Sequence, residues 1–141
     1  MANASYTAFK NGVLNAEYDL NTAVVKVALV RSYTFSAAHS TMADVTGAGG
    51  VVHATAILGN VTLTGGVLDA DDTAIITTAN ASTHTLILYQ ASAVTGGADV
   101  AAASQKLIAF YDTGTGLPVT PGAGTLTVTW ANTTNKILKV G

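Results

Sequence analysis

From residue 23 to the C-terminus the chain is cut into short runs of Val, Ile, Leu, Ala and Thr. Each run is closed by Gly, Asn, Asp or Pro, and this punctuation limits the possible folds more than any other feature. The runs cover residues 24–30, 51–58, 61–68, 73–78, 85–89, 106–111, 125–130 and 136–140. Between them lie Gly59-Asn60, residues 69–72, Asn80-Ala81-Ser82, Thr95-Gly96-Gly97, Gly114-Thr115-Gly116, Pro121-Gly122 and residues 132–135. These are residue types that supply positive φ or local side-chain hydrogen bonds. Eight short strands at this spacing predict an all-β fold, a mainly antiparallel β-sandwich of jelly-roll or Ig-like type.

Two runs carry finer information. Val24-Val25-Lys26-Val27-Ala28-Leu29-Val30 is apolar on both sides except at Lys26, the pattern of a central strand, with the lysine stem packed and its head reaching water. In Thr125-Leu126-Thr127-Val128-Thr129-Trp130 threonine alternates with apolar residues, giving one dry and one wet face, and Val61-Thr62-Leu63-Thr64 repeats this more weakly. Residues 32–44 fit a loop or one or two irregular helical turns, closed by Thr46-Gly47-Ala48-Gly49-Gly50. Residues 91–104 read as an exposed loop of small residues with a short helix at 100–104.

Before the first strand the spacing predicts a short helix. Ser5 is placed to cap it, and Tyr6, Phe9, Val13 and Leu14 fall on one face that must pack on the body. Gly12 weakens it by about 1 kcal/mol relative to Ala, so tertiary contact has to hold it. The expected organisation is one domain, with residues 1–22 as N-terminal helix and tether and residues 23–141 as the sandwich.

Composition narrows the function. Only 10% of the 141 residues are charged, against roughly 25% in an ordinary soluble chain, so Thr, Ser and Asn must keep the surface wet. A net charge of −2 leaves no basic face for nucleic acid. No stretch approaches the roughly 20 apolar residues of a membrane span, and the opening Met1-Ala2-Asn3-Ala4-Ser5 has neither a basic n-region nor an apolar h-region, so no export signal is expected. There is no cysteine. The Asn-x-Ser/Thr triplets at Asn3, Asn60, Asn80 and Asn132 are read as turn chemistry.

Several constellations invite a chemical reading, and each has a plainer one. Asp112-Thr113-Gly114 follows an apolar run, as the catalytic triplet of aspartic proteases does, yet that chemistry needs two carboxylates sharing a proton and hence a symmetric dimer here. The same three residues suit a turn, which is the favoured reading. Asp69-Ala70-Asp71-Asp72 offers three carboxylates to a hard cation but lacks the EF-hand spacing, so a solvated turn is favoured. His39, His53 and His84 have no zinc-ligand spacing. Trp130 with Tyr89, Phe110 and Tyr111 offers aromatic rings to a sugar, but Trp130 shares the parity of Leu126 and Val128, which favours the core. No Gly-x-Ser-x-Gly elbow or phosphate loop is present. The expectation is therefore no catalytic, cofactor-binding or metal residue.

Thr64-Gly65-Gly66-Val67-Leu68-Asp69-Ala70-Asp71-Asp72, Leu86-Ile87-Leu88-Tyr89, Leu107-Ile108-Ala109-Phe110-Tyr111-Asp112 and Gly116-Leu117-Pro118-Val119-Thr120-Pro121 together resemble a family of small tailed-bacteriophage virion proteins. The ending Leu126-Thr127-Val128-Thr129-Trp130 with Asn135-Lys136-Ile137-Leu138-Lys139-Val140 is similar to that family's closing hairpin. So is the opening, a short helix after Met1-Ala2-Asn3 and then Val25-Lys26-Val27-Ala28-Leu29-Val30. The resemblance implies a non-enzymatic virion part, foremost a head decoration or cement protein acting as a homo-oligomer on the major capsid protein or other virion proteins. Its location is then the virion, assembled in the host cytoplasm, with no nucleic acid or membrane as partner. It places Asp112 at a turn. A neck or tail component and a carbohydrate-binding host-attachment module are the alternatives, and the N-terminal helix or the chain before it is the natural tether to a neighbour.

Overall fold

Strand-forming runs this short are stable only when paired and covered, and the pairing is entirely antiparallel. A computed structural model describes residues 3–132 and 136–139. In chain order the elements are β1 (Ala4–Ser5), α1 (Thr7–Leu14), β2 (Val24–Arg31), α2 (Met42–Gly47), β3 (Val51–Ile57), β4 (Thr62–Thr64), β5 (Val67–Asp69), β6 (Thr73–Thr77), β7 (Thr85–Ser92), a 3₁₀ turn at Ala102–Ser104, β8 (Lys106–Tyr111), β9 (Gly124–Val128) and β10 (Leu138–Lys139). The main sheet has the order β1-β8-β7-β2-β3, beside a three-stranded sheet β10-β5-β4 and a ribbon β6-β9. The fold is all-β and sandwich-like, with a helix at its N-terminal end.

The main sheet is covered on both faces, which is why β2, β7 and β8 are nearly continuous apolar strands. Ile87 and Phe110 are cross-strand partners on one face, Leu86 and Tyr111 on the other. Phe110 meets Tyr33 and Phe35, and Phe35 meets Tyr6, so the 32–39 loop and α1 cover the first face. Tyr111 meets Trp130 and donates its hydroxyl to the Ile137 carbonyl at 2.7 Å, so the smaller strands cover the second. Lys26 lies on central β2 as expected, but its head does not simply reach water. It is held by Asp99 at 2.7 Å, across the 93–101 loop.

Four expectations are corrected. The 61–68 run is two strands, β4 and β5, because Gly65 and Gly66 both have positive φ and turn the chain between them. A two-residue strand, β1, pairs Ala4 with Phe110 and Ser5 with Ala109. With these two changes the eight expected strands become ten among the described residues. Ser5 therefore does not cap α1. The residue before the helix is extended Tyr6, which makes no side-chain cap. Leu14 is 85% exposed, not packed: it lies five positions after buried Phe9, about 140° around the helix, so it turns outward. The expected turn at 132–135 falls largely outside the described residues, as does the end of the last strand.

Gly12 is explained by its surroundings. A Cβ there would lie 2.4 Å from the Tyr18 ring. That ring packs edge-on against Phe9 and donates its hydroxyl to the Leu107 carbonyl at 3.0 Å, so it has little room to yield. The helix accepts a poor helix former in order to sit close to Tyr18.

Candidate functional site

The residues singled out for chemistry are mostly engaged in holding loops. Asp112 and Thr113 leave the end of β8 in a turn gripped by Asn3: its amide oxygen accepts the N–H groups of both residues, at 3.1 and 3.0 Å, and its amide nitrogen donates to the Thr113 carbonyl at 2.8 Å. A bridge between Gly114 and Leu117 closes the next turn. The three carboxylates at 69–72 are divided among separate partners. Asp69 pairs with Lys136, Asp71 accepts from the Asn60 amide at 2.6 Å, and Asp72 accepts the Trp130 backbone N–H at 3.0 Å. Among the described residues no group of three or more His, Cys, Asp or Glu gathers as metal ligands would.

The aromatic residues lie in or against the core. Tyr89 and Phe110 are buried, Tyr111 is half-buried, and Trp130 is 7% exposed with its indole N–H donated to the Thr73 hydroxyl at 3.1 Å. Burial pushes the Tyr89 phenol up to about 12 and raises Tyr111 as well.

One carboxylate has a strongly altered acidity that sequence reading passed over. Asp44 accepts the backbone N–H groups of Ser40 and Thr41, each at 2.8 Å, and is lowered to about 2 by those bonds. The spacing Thr41-Met42-Ala43-Asp44 carries the signal of a capping box at the start of α2. Its role is structural.

The histidines are rearranged relative to their order in the chain. His39 meets the Tyr33 hydroxyl at 2.9 Å. His53 on β3 and His84 just before β7 come together with ring centres 4.9 Å apart. Sequence separation gave no warning of this pair, because only the packing of β3 beside the entry to β7 creates it.

Two surface features remain. A groove of about 830 Å³ runs between β9 and the 113–119 loop, with Leu86, Tyr111 and Trp130 along its lining and Thr113, Thr127, Asn132 and Asn3 supplying uncharged polar groups. The second is the outer strand set β3, β4, β6 and β9, whose sequences Val-Val-His-Ala-Thr-Ala-Ile, Thr-Leu-Thr, Thr-Ala-Ile-Ile-Thr and Gly-Thr-Leu-Thr-Val contain no Asp, Glu, Lys or Arg. Ile57 and Ile76 stand out from it, 61% and 73% exposed. β3 is an outer strand of the main sheet and β4 of the smaller one. The charged or proline-bearing positions that usually blunt such edges are missing from both.

Among the described residues no helix is long and apolar enough to cross a membrane. No family model, no curated protein and no solved structure matches the chain.

Proposed function

We infer that this chain is a non-enzymatic structural protein of a tailed-phage virion, a head decoration or cement protein that binds the major capsid protein as a homo-oligomer. The observation that carries the reading is the absence of charged side chains from the outer strands β3, β4, β6 and β9. Burying Thr, Val and Ile against a neighbour costs far less desolvation than burying Lys or Glu. A module repeated on a symmetric lattice also reaches high occupancy through individually weak contacts. The engagement of Asp69, Asp71 and Asp72 in three separate loop contacts supports a structural rather than chemical use of these groups. The burial of Trp130 weighs against a sugar-stacking platform.

The test is imaging of purified particles with a count of copies per virion. Many copies spread over the shell are expected. A small ring would move the protein to the neck or tail. Absence from particles, or turnover of a substrate by the purified chain, would overturn the structural reading, and measurable glycan binding would favour host attachment.

A further inference from the structure

His84 is fully buried, and its hydrogen bonding determines its tautomer. Nδ1 lies 2.9 Å from the Ser82 carbonyl, which can only accept, so Nδ1 carries the proton. Nε2 is then a lone pair, and it is buried with no hydrogen-bond partner. By the same reasoning His53 donates from Nε2 to the Thr78 carbonyl at 3.0 Å. Among the described residues, the titratable or charged side chains that act on His84 are His53 and Arg31. A second proton on His84 would therefore sit in a buried space with no acceptor, beside the Arg31 cation and the His53 ring.

The backbone of the same residue is a latch. His84 donates its N–H to the Val119 carbonyl at 2.7 Å and accepts the Val119 N–H at 2.9 Å, the isolated bridge that ties the 117–121 segment to the start of β7. Asn80 on the same turn donates its N–H to the Pro121 carbonyl at 3.0 Å. Val119 also lines the groove beside β9.

We propose that His84, packed against His53, forms an acid-sensitive latch: protonation of its buried ring releases the 117–121 segment from the start of β7 and so reshapes one wall of the groove. Burial, followed by the nearby His53 and Arg31, holds His84 below its ordinary imidazole range. The sign follows. The unfolded or unlatched chain takes up the proton near pH 6.5, the latched chain only at lower pH, so the latched state weakens as pH falls below about 6.5.

The test uses the full chain between pH 7.5 and 5, above the range in which carboxylates titrate. The expected result is that the unfolding equilibrium constant in urea rises by up to about tenfold per pH unit below 6.5, the response to one differential proton. Amide exchange, corrected for intrinsic rate, is expected to show Val119 and His84 losing protection before Ile87 and Leu88. His84→Gln is expected to flatten the pH response, and His39→Gln to leave it intact. Because His84→Gln can fail to fold, His53→Gln and an imidazole chemical-shift titration of the wild type serve as independent readouts. The first should weaken the response, and the second should show His84 titrating below its ordinary imidazole value. A flat wild-type profile, a native His84 titrating at 6.5 or above, loss of the response in His39→Gln, or protection falling uniformly across the sheet would each overturn the proposal.

Discussion

Asp44 and Trp130 illustrate how single polar atoms are used in a chain with so few charges. The Asp44 carboxylate answers two backbone N–H groups ahead of α2, bonds to a charged acceptor that are worth more than neutral ones. Asp44→Ala is expected to cost about 1–2 kcal/mol at neutral pH. Its group is lowered from 3.8 to about 2, so the wild type's advantage is full above the ordinary carboxylate value. It shrinks as pH falls below that value and is gone once Asp44 is protonated near 2. Urea midpoints of the two proteins across acid pH measure this directly. Trp130→Phe removes the indole N–H from the Thr73 hydroxyl and leaves a gap under the smaller strands. A loss of about 1–3 kcal/mol is expected by urea unfolding. The core placement of Trp130 was legible from its parity with Leu126 and Val128. The Asp44 bonds were signalled by Thr41 three residues earlier but hidden in a stretch of small polar residues without clear periodicity.

In sequence the hairpin between β4 and β5 resembles one strand because Thr64-Gly65-Gly66-Val67 continues the apolar and threonine alternation on both sides of the turn. Only the backbone angles reveal the reversal: φ is +60° at Gly65 and +76° at Gly66. A side chain at Gly65 meets nothing within 4 Å, so a substitution there acts through conformation alone. Gly65→Val is expected to cost about 1–2 kcal/mol. Gly65→Asn, which tolerates left-handed backbone, should cost clearly less. Thermal unfolding of both variants checks the difference. β1 shows the opposite difficulty. Ala4-Ser5 is too short to carry any pattern, and it is a strand only because the edge of β8 lies beside it.

The main sheet needs covering on both sides, and the N-terminal segment supplies part of one cover. Tyr6 and Phe9 are each buried to within 1%, and losing two such aromatic residues removes about 6–10 kcal/mol, comparable with the whole stability of a domain this size. Deletion through Leu14 is therefore expected to leave an unfolded chain, seen as collapsed amide dispersion in a proton spectrum. Such a deletion cannot test a tether to a neighbouring molecule. Point changes at exposed Leu14, which lies off the packed face, can do so without touching the core. Strands β3, β4, β6 and β9 carry no Asp, Glu, Lys or Arg, a character readable in the sequence alone.

Most strand positions, though not β1 or the break between β4 and β5, the central place of β2, the turns at Gly59-Asn60 and Asn80 to Ser82, and the lack of charge on the outer strands are readable along the chain. Alternation, β-branching and turn chemistry are local properties, set by neighbours a few residues away. Which strands became neighbours was a tertiary outcome: β8 between β1 and β7, Asn3 against Asp112 and Thr113, His53 against His84, Asp69 against Lys136. Those contacts join residues 16 to 110 positions apart. Their free energy comes from burying both faces of one sheet together, which no short window of sequence contains.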